Sequence, residues 1–292
     1  MADIKPTTPV ATKTVKATPA KAKKSSNVIS WIAPILCIIL GYVIWRYVLG
    51  NPNNFTDPDP NGGFWPSHHG PKDPLTRMYE GGIVVPFLLA GLFICLTFVI
   101  ERALTLSKAT GKGNINEFIR NVQYALANKD VDKALALCDR QKGSVGNVMK
   151  QGLLKYKEMI NVPTSDLDTD QKLLVIQKEI EEATALELPM LEKNLVFLST
   201  LSSVSTLVGL LGTVIGMIRA FSALGADGGG GNATSQLSVA ISEALYCTAL
   251  GIGTSAIAII TYNIFTTRID GITYGIDESG FTLQQSFAAN YK

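Results

Sequence analysis

Charge is scarce in this chain. Of its 292 residues only 17% are Asp, Glu, Lys or Arg, and the formal net charge is +2. So small a surplus excludes a nucleic-acid surface, since the basic residues form neither a recognition helix nor a patch interleaved with aromatics. Histidine is rarer still. His68 and His69 stand in a Pro-, Gly- and Asp-rich stretch with no nearby Cys and no H-x-x-x-H spacing, so they read as ordinary loop residues and no metal site is expected. The four cysteines (Cys37, Cys95, Cys138, Cys247) are far apart, three of them in apolar runs, and without a C-x-x-C pair they read as free thiols. The glycine tract 228–231 runs into Asn232 where a phosphate loop needs G-K-[ST], and no nucleophile–base pair is visible. Neither an enzyme nor a cofactor is expected.

What is present in excess is apolar sequence: 47% of residues are hydrophobic, and the charges fall in a few blocks, as in a membrane protein that also carries a soluble portion. Residues 1–27 hold six lysines and one acid among Pro, Thr and Ala, a composition that cannot bury enough apolar surface to fold. They read as a disordered basic tail, whose lysines each add about 1 kcal/mol near an anionic leaflet, so membrane lipid is a candidate partner. Residues 28–49 ("VISWIAPILCIILGYVIWRYVL") follow as an apolar run of spanning length, longer than the core of a cleavable leader. Further runs at 81–106, 195–222 and 238–266 bring the expected transmembrane helices to four. The fold class is therefore all-α membrane protein, with a helical domain at 107–194, where apolar residues recur at three- and four-residue spacing. Pro189 is expected to bend or locally end the helix that leads into the third span.

Lys and Arg mark the cytoplasmic side. Thirteen lie in 107–194 and six in the tail, against two (Lys72, Arg77) in the loop 50–80 and none in the loop 223–237. The expected arrangement thus has both termini and the helical domain in the cytoplasm, both loops outside, and 267–292 as a cytoplasmic C-terminal tail. Glu101 and Arg102 close the second span, where boundary charges are ordinary.

The last two spans carry unusual polarity. Ser199, Ser202, Thr206, Gly209 and Thr213 share one sector of the third at 100° per residue. Ser205, Gly209, Gly212 and Gly216 form an overlapping row of small residues that lets membrane helices approach closely. On the fourth, Ala244, Thr248, Gly251 and Ser255 lie on one side, and Glu243, Cys247, Thr254 and Thr261 on another. Thr213 lies nine residues before the intervening loop and Thr248 nine after it, which places both about 13 Å below one surface. Glu243 is the only formally charged side chain of 240–265, and a charge near the bilayer centre costs about 2.5–3.5 kcal/mol on insertion scales. Two readings fit it: a neutral carboxylic acid bonded to a neighbouring helix, or a group that carries or gates an ion. Since Thr248 stands about 140° from Glu243 on the wheel, the two need not line one wall. Arg219 reads as an interface anchor, able to snorkel or to pair with an acid such as Asp227.

"GLLGTVIGMIRAF" (209–221), "ISEALYCTALGIGTSAIAIITYNIF" (241–265) and "VIERALTL" (99–106) resemble the MotA/TolQ/ExbB proton channel family, most of all its ExbB and TolQ branch. The resemblance covers roughly residues 80–270 and implies a bacterial inner-membrane homopentamer around a dimer of a single-span partner of the ExbD or TolR type. A membrane aspartate of that partner would take protons from the proton-motive force. The family's pore hydroxyls carry over to Thr213 and Thr248, its membrane glutamate to Glu243. Together they imply an ExbB-like subunit that energises TonB-dependent transport through a TonB-like protein. The same family offers a TolQ-like envelope-maintenance motor or a motility stator, and a non-conducting scaffold is the rival from another class. Two departures stand out. Thr206 occupies the place of a usual proline, which extends the polar stripe, and the first span with its tail lies outside the three-span core.

Overall fold

The computed structural model describes residues 28–291 except 60–62, 65, 67, 74–75, 164–166 and 227–230. The basic tail of residues 1–27 and Asp227 lie outside the described residues. Helix dominates, and four helical segments are long and apolar enough to cross a membrane. The first, α1 (Val28–Val43), widens into a π-helical turn, Ile44–Leu49, which closes where Gly50 N–H donates to Trp45 O at 2.9 Å. It lies against α3 (Val84–Ala109) at backbone distance: a Cβ on Gly41 would sit 2.9 Å from both Pro86 O and Ala90 N.

Between α1 and α3 the expected loop is a folded cap. A two-stranded antiparallel sheet, β1 (Phe55–Asp57) and β2 (His69–Pro71), pairs Phe55 with Pro71 and Asp57 with His69, and a single turn, α2 (Arg77–Glu80), follows. An aromatic cluster holds it together. Trp45, only 2% exposed, stacks on Tyr79 with ring centroids 4.6 Å apart, and Tyr79 donates its hydroxyl to Pro66 O. Burial pushes the Tyr79 phenol up to about 12, opposed by nearby Arg46. His68 stands in the loop before β2, with its ring buried beside Phe55 and Tyr79 and its Nδ1 accepting from Asp59 N–H at 2.9 Å.

Beyond α3, four helices form the helical domain: α4 (Ile115–Ala127), α5 (Val131–Gln141), α6 (Gly143–Asn161) and α7 (Thr169–Glu192). The starts of α4, α5 and α7 carry side-chain caps that satisfy orphan N–H groups. Asn114 accepts from Asn116 N–H, Asp130 from Lys133 N–H, and Asp168 with Gln171 forms a capping box. Their apolar faces close around Phe118, Val122, Cys138, Met149, Leu153 and Ile176. Burial, reinforced by Asp139, pushes the Cys138 thiol up to about 12.

The last two helices are α8 (Leu195–Ala226) and α9 (Gly231–Asn290). At 1.5 Å per residue, the 60 residues of α9 reach about 90 Å. Residues 267–290, expected as a tail, are the second half of that helix. Ile272, Ile276, Leu283 and Phe287 enter the core of the helical domain, so membrane helix and domain share one rod.

Pro189 does not end its helix either. α7 carries it inside and stops at Glu192, where Asn194 adopts a left-handed φ of 64° before α8 begins. Arg102, read as an ordinary boundary charge, is 2% exposed and holds this junction. Its Nε donates to Glu101 Oε2 at 2.7 Å and its Nη1 to Leu191 O at 3.4 Å, while Asn194 Nδ2 donates to Glu101 Oε2 at 3.3 Å. The cation thus satisfies a carbonyl that the end of α7 leaves open, as a helix C-terminus favours.

Candidate functional site

α8 and α9 run antiparallel and touch through glycine. A Cβ on Gly209 would lie 3.1 Å from Gly251 Cα, one on Gly212 2.5 Å from Cys247 Cβ, and one on Gly216 2.7 Å from Ala244 Cβ. A Cβ on Gly251 would meet Ser205 O at 2.6 Å. Side chains are absent where the backbones cross, so hydroxyls reach across to main-chain carbonyls. Thr248 Oγ1 donates to Gly209 O at 3.2 Å, and Ser255 Oγ to Ser202 O at 2.5 Å.

This register sets the heights. Because Gly212 faces Cys247 and the helices are antiparallel, Thr213 and Thr248 stand about two residues' rise, roughly 3 Å, apart along the seam. Their hydroxyls nonetheless turn to different surroundings. Thr213 donates to Leu210 O at 2.6 Å and edges an open groove of about 650 Å³ with Met217, Ile218 and Phe221. Thr248 faces the seam. Further along α8, Ser202 donates to Ser199 O and Thr206 to Ser202 O. Ser199 and Thr206 are exposed and Ser202 is half-buried. With their protons donated to the helix, the Ser202, Thr206 and Thr213 hydroxyls present lone pairs outward, a surface suited to water rather than lipid tails. α8 passes Thr206 as one continuous helix. Thr254 is 2% exposed, and its hydroxyl has no hydrogen-bond partner among the described residues; Thr261 bonds back to Ile257 O.

Glu243 stands on α9 and faces α8. It lies toward the end of the seam near the α8–α9 connection, and Arg219 Nη1 approaches its Oε2 at 3.3 Å. Glu243 is 13% exposed and Arg219 49%. Arg219 is therefore a counter-ion of the membrane carboxylate, and Asp227, the acid named from the sequence, lies outside the described residues. The Gly81–Gly82 turn between α2 and α3 presses on the same corner. Gly82, with φ of 64°, would put a Cβ 3.1 Å from both Nη atoms of Arg219, while Cys247 Sγ lies 4.0 Å from Gly81 O. A glycine pair immediately before an apolar run was the available signal for this turn.

Such a seam, with hydroxyls and a paired carboxylate on lipid-length helices, belongs to an all-helical, multi-pass membrane protein. Residues 141–278 match the profile of the MotA/TolQ/ExbB proton channel family. The matched region covers α6 to most of α9; α1, the cap and α3 precede it. Over 203 residues the chain is 29% identical to the Tol-Pal system protein TolQ of Haemophilus influenzae, an alignment covering 67% of this chain and 85% of that one. It is 35% identical over 86 residues to the putative biopolymer transport protein ExbB-like 3 of Synechocystis, covering 30% and 41% of the two chains. TolQ of Pseudomonas aeruginosa is 32% identical over 136 residues, covering 44% and 57%.

Proposed function

We propose that this chain is the multi-span subunit of a proton-driven motor in the bacterial inner membrane. Five copies surround a dimer of a single-span partner of the ExbD or TolR type, whose membrane aspartate exchanges protons. The observation that carries the reading is the hydroxyl surface of α8, with Thr213 and Thr248 near one height and Glu243 at one end, in a chain that matches the profile of a proton channel family. Ser199, Ser202 and Thr206 continue this wall, while Gly209, Gly212, Gly216, Gly251 and Ser255 pack the seam. The helical domain and both termini lie in the cytoplasm in this reading, which the Lys and Arg count of 107–194 supports.

The motor's load is a TonB-like protein acting on outer-membrane transporters. A Tol-Pal role is the second reading, favoured by the TolQ relative that aligns over most of its length. In a deletion strain, lost iron-chelate uptake marks the first, detergent sensitivity the second, and lost movement a motility stator. The direct test is proton flux into liposomes holding the chain with its co-expressed single-span partner. Wild type conducts under an imposed potential, while Glu243→Gln and Thr248→Val assemble and lose most of the flux. Equal flux in all three would make this seam a scaffold and leave proton handling to the partner.

A further inference from the structure

The first span and its cap meet the charged corner through an unbroken line of contacts. Trp45 of the π-helical turn stacks on Tyr79 and donates from Nε1 to Tyr79 O at 3.4 Å. Gly82 N–H donates to that same Tyr79 O at 3.2 Å. Gly82 then lies under the Arg219 guanidinium, and Arg219 pairs with Glu243. The neighbouring contact follows the same route: Gly81 rests on Cys247, which shares a buried cluster with Trp45, Tyr79 and Val84.

Two features show that the turn is built for this approach. Gly82 combines a left-handed φ with a contact too close for a side chain, so neither its conformation nor its space tolerates a Cβ. Arg219, half-exposed, would otherwise be free to swing on its long side chain. Besides Arg219 from α8, Cys247 of α9 itself is the ionisable side chain seen at this corner among the described residues; the α2–α3 turn contributes backbone, and α3 contributes Val84.

We infer that α1 and the cap form a clamp that holds Arg219 on Glu243 and shuts the outer end of the ion path. Arg219 is a positioning residue: it neutralises the carboxylate and sets a fixed positive charge where cations would enter, an electrostatic barrier of the kind that excludes protons from other pores. Opening needs the turn to lift or the guanidinium to leave. The inference rests on the reading of Glu243 as part of an ion path.

The test uses the full chain with its partner in liposomes and no TonB-like load, read in two ways. Methanethiosulfonate labelling of Cys247, in a background with Cys37, Cys95 and Cys138 replaced by Ala, reports whether the turn still covers it. Proton leak reports whether the path is shut. Gly82→Ala strains the turn, and both labelling and leak should rise about tenfold, the population shift expected for a non-glycine residue held at positive φ. Arg219→Gln should raise leak while leaving Cys247 covered, and Arg219→Lys should restore the low leak. A merely structural role would lower flux or assembly and would not produce a gain. If flux depends on Glu243 but ignores Gly82→Ala and Arg219→Gln, the clamp is overturned alone. If flux ignores Glu243→Gln as well, the ion-path reading falls and the clamp with it.

Discussion

Single atoms decide how closely α8 and α9 can run. Gly251 faces a backbone oxygen at a distance no Cβ accepts, and backbone cannot swing aside as a flexible side chain can. Gly253, two residues on, faces open space. Gly251→Ala should therefore destabilise the chain by about 1–3 kcal/mol, the range for overpacking a close contact. Gly253→Ala should be near neutral, which thermal unfolding in micelles followed by circular dichroism would check. Little of this contrast was legible in the sequence. The small-residue row on α8 was visible as a periodicity, but which glycine of α9 meets it depends on register, and no local pattern fixes register between separate helices. The partner of Glu243 was hidden for the same reason. Arg219 lies 24 residues away across a turn, and Gly82 comes from another span altogether.

Elements end and join for reasons that composition shows only in part. The four apolar runs were legible because a spanning helix must be continuously apolar over its length. The capped starts of α4 and α5 were legible because Asn and Asp stand where orphan donors need acceptors. The end of α7 was not. Proline suggested itself as the breaker, whereas the left-handed Asn194 and the buried Arg102 make the stop. Arg102→Met would leave Glu101 without its guanidinium and the last carbonyls of α7 without a donor. Removing one partner of a buried ion pair costs roughly 3–5 kcal/mol, and the one-third exposure of Glu101 points to the lower end. Hydrogen exchange should show early opening at residues 189–195 in that variant, with α4 and α5 unchanged.

Across the whole molecule, the second half of α9 is the element that nothing local announced. It contains Gly271, Gly275 and Gly280, residues that weaken an isolated helix by up to about 1 kcal/mol each, so the stretch read as a tail. Burial of Ile272, Ile276, Leu283 and Phe287 against α4, α6 and α7 outweighs that deficit. One alanine inserted between Thr266 and Thr267 would turn those residues by about 100° out of their core. Limited proteolysis should then cleave the helical domain readily, while the seam half of α9 stays protected. The length of this helix also has a geometric result. A rod of about 90 Å pivoting at one end by about 5° carries its far end sideways by about 8 Å. A repacking too slight to separate the glycines of the seam is therefore delivered at Asn290 as a stroke wider than a water layer, with leverage supplied by length alone.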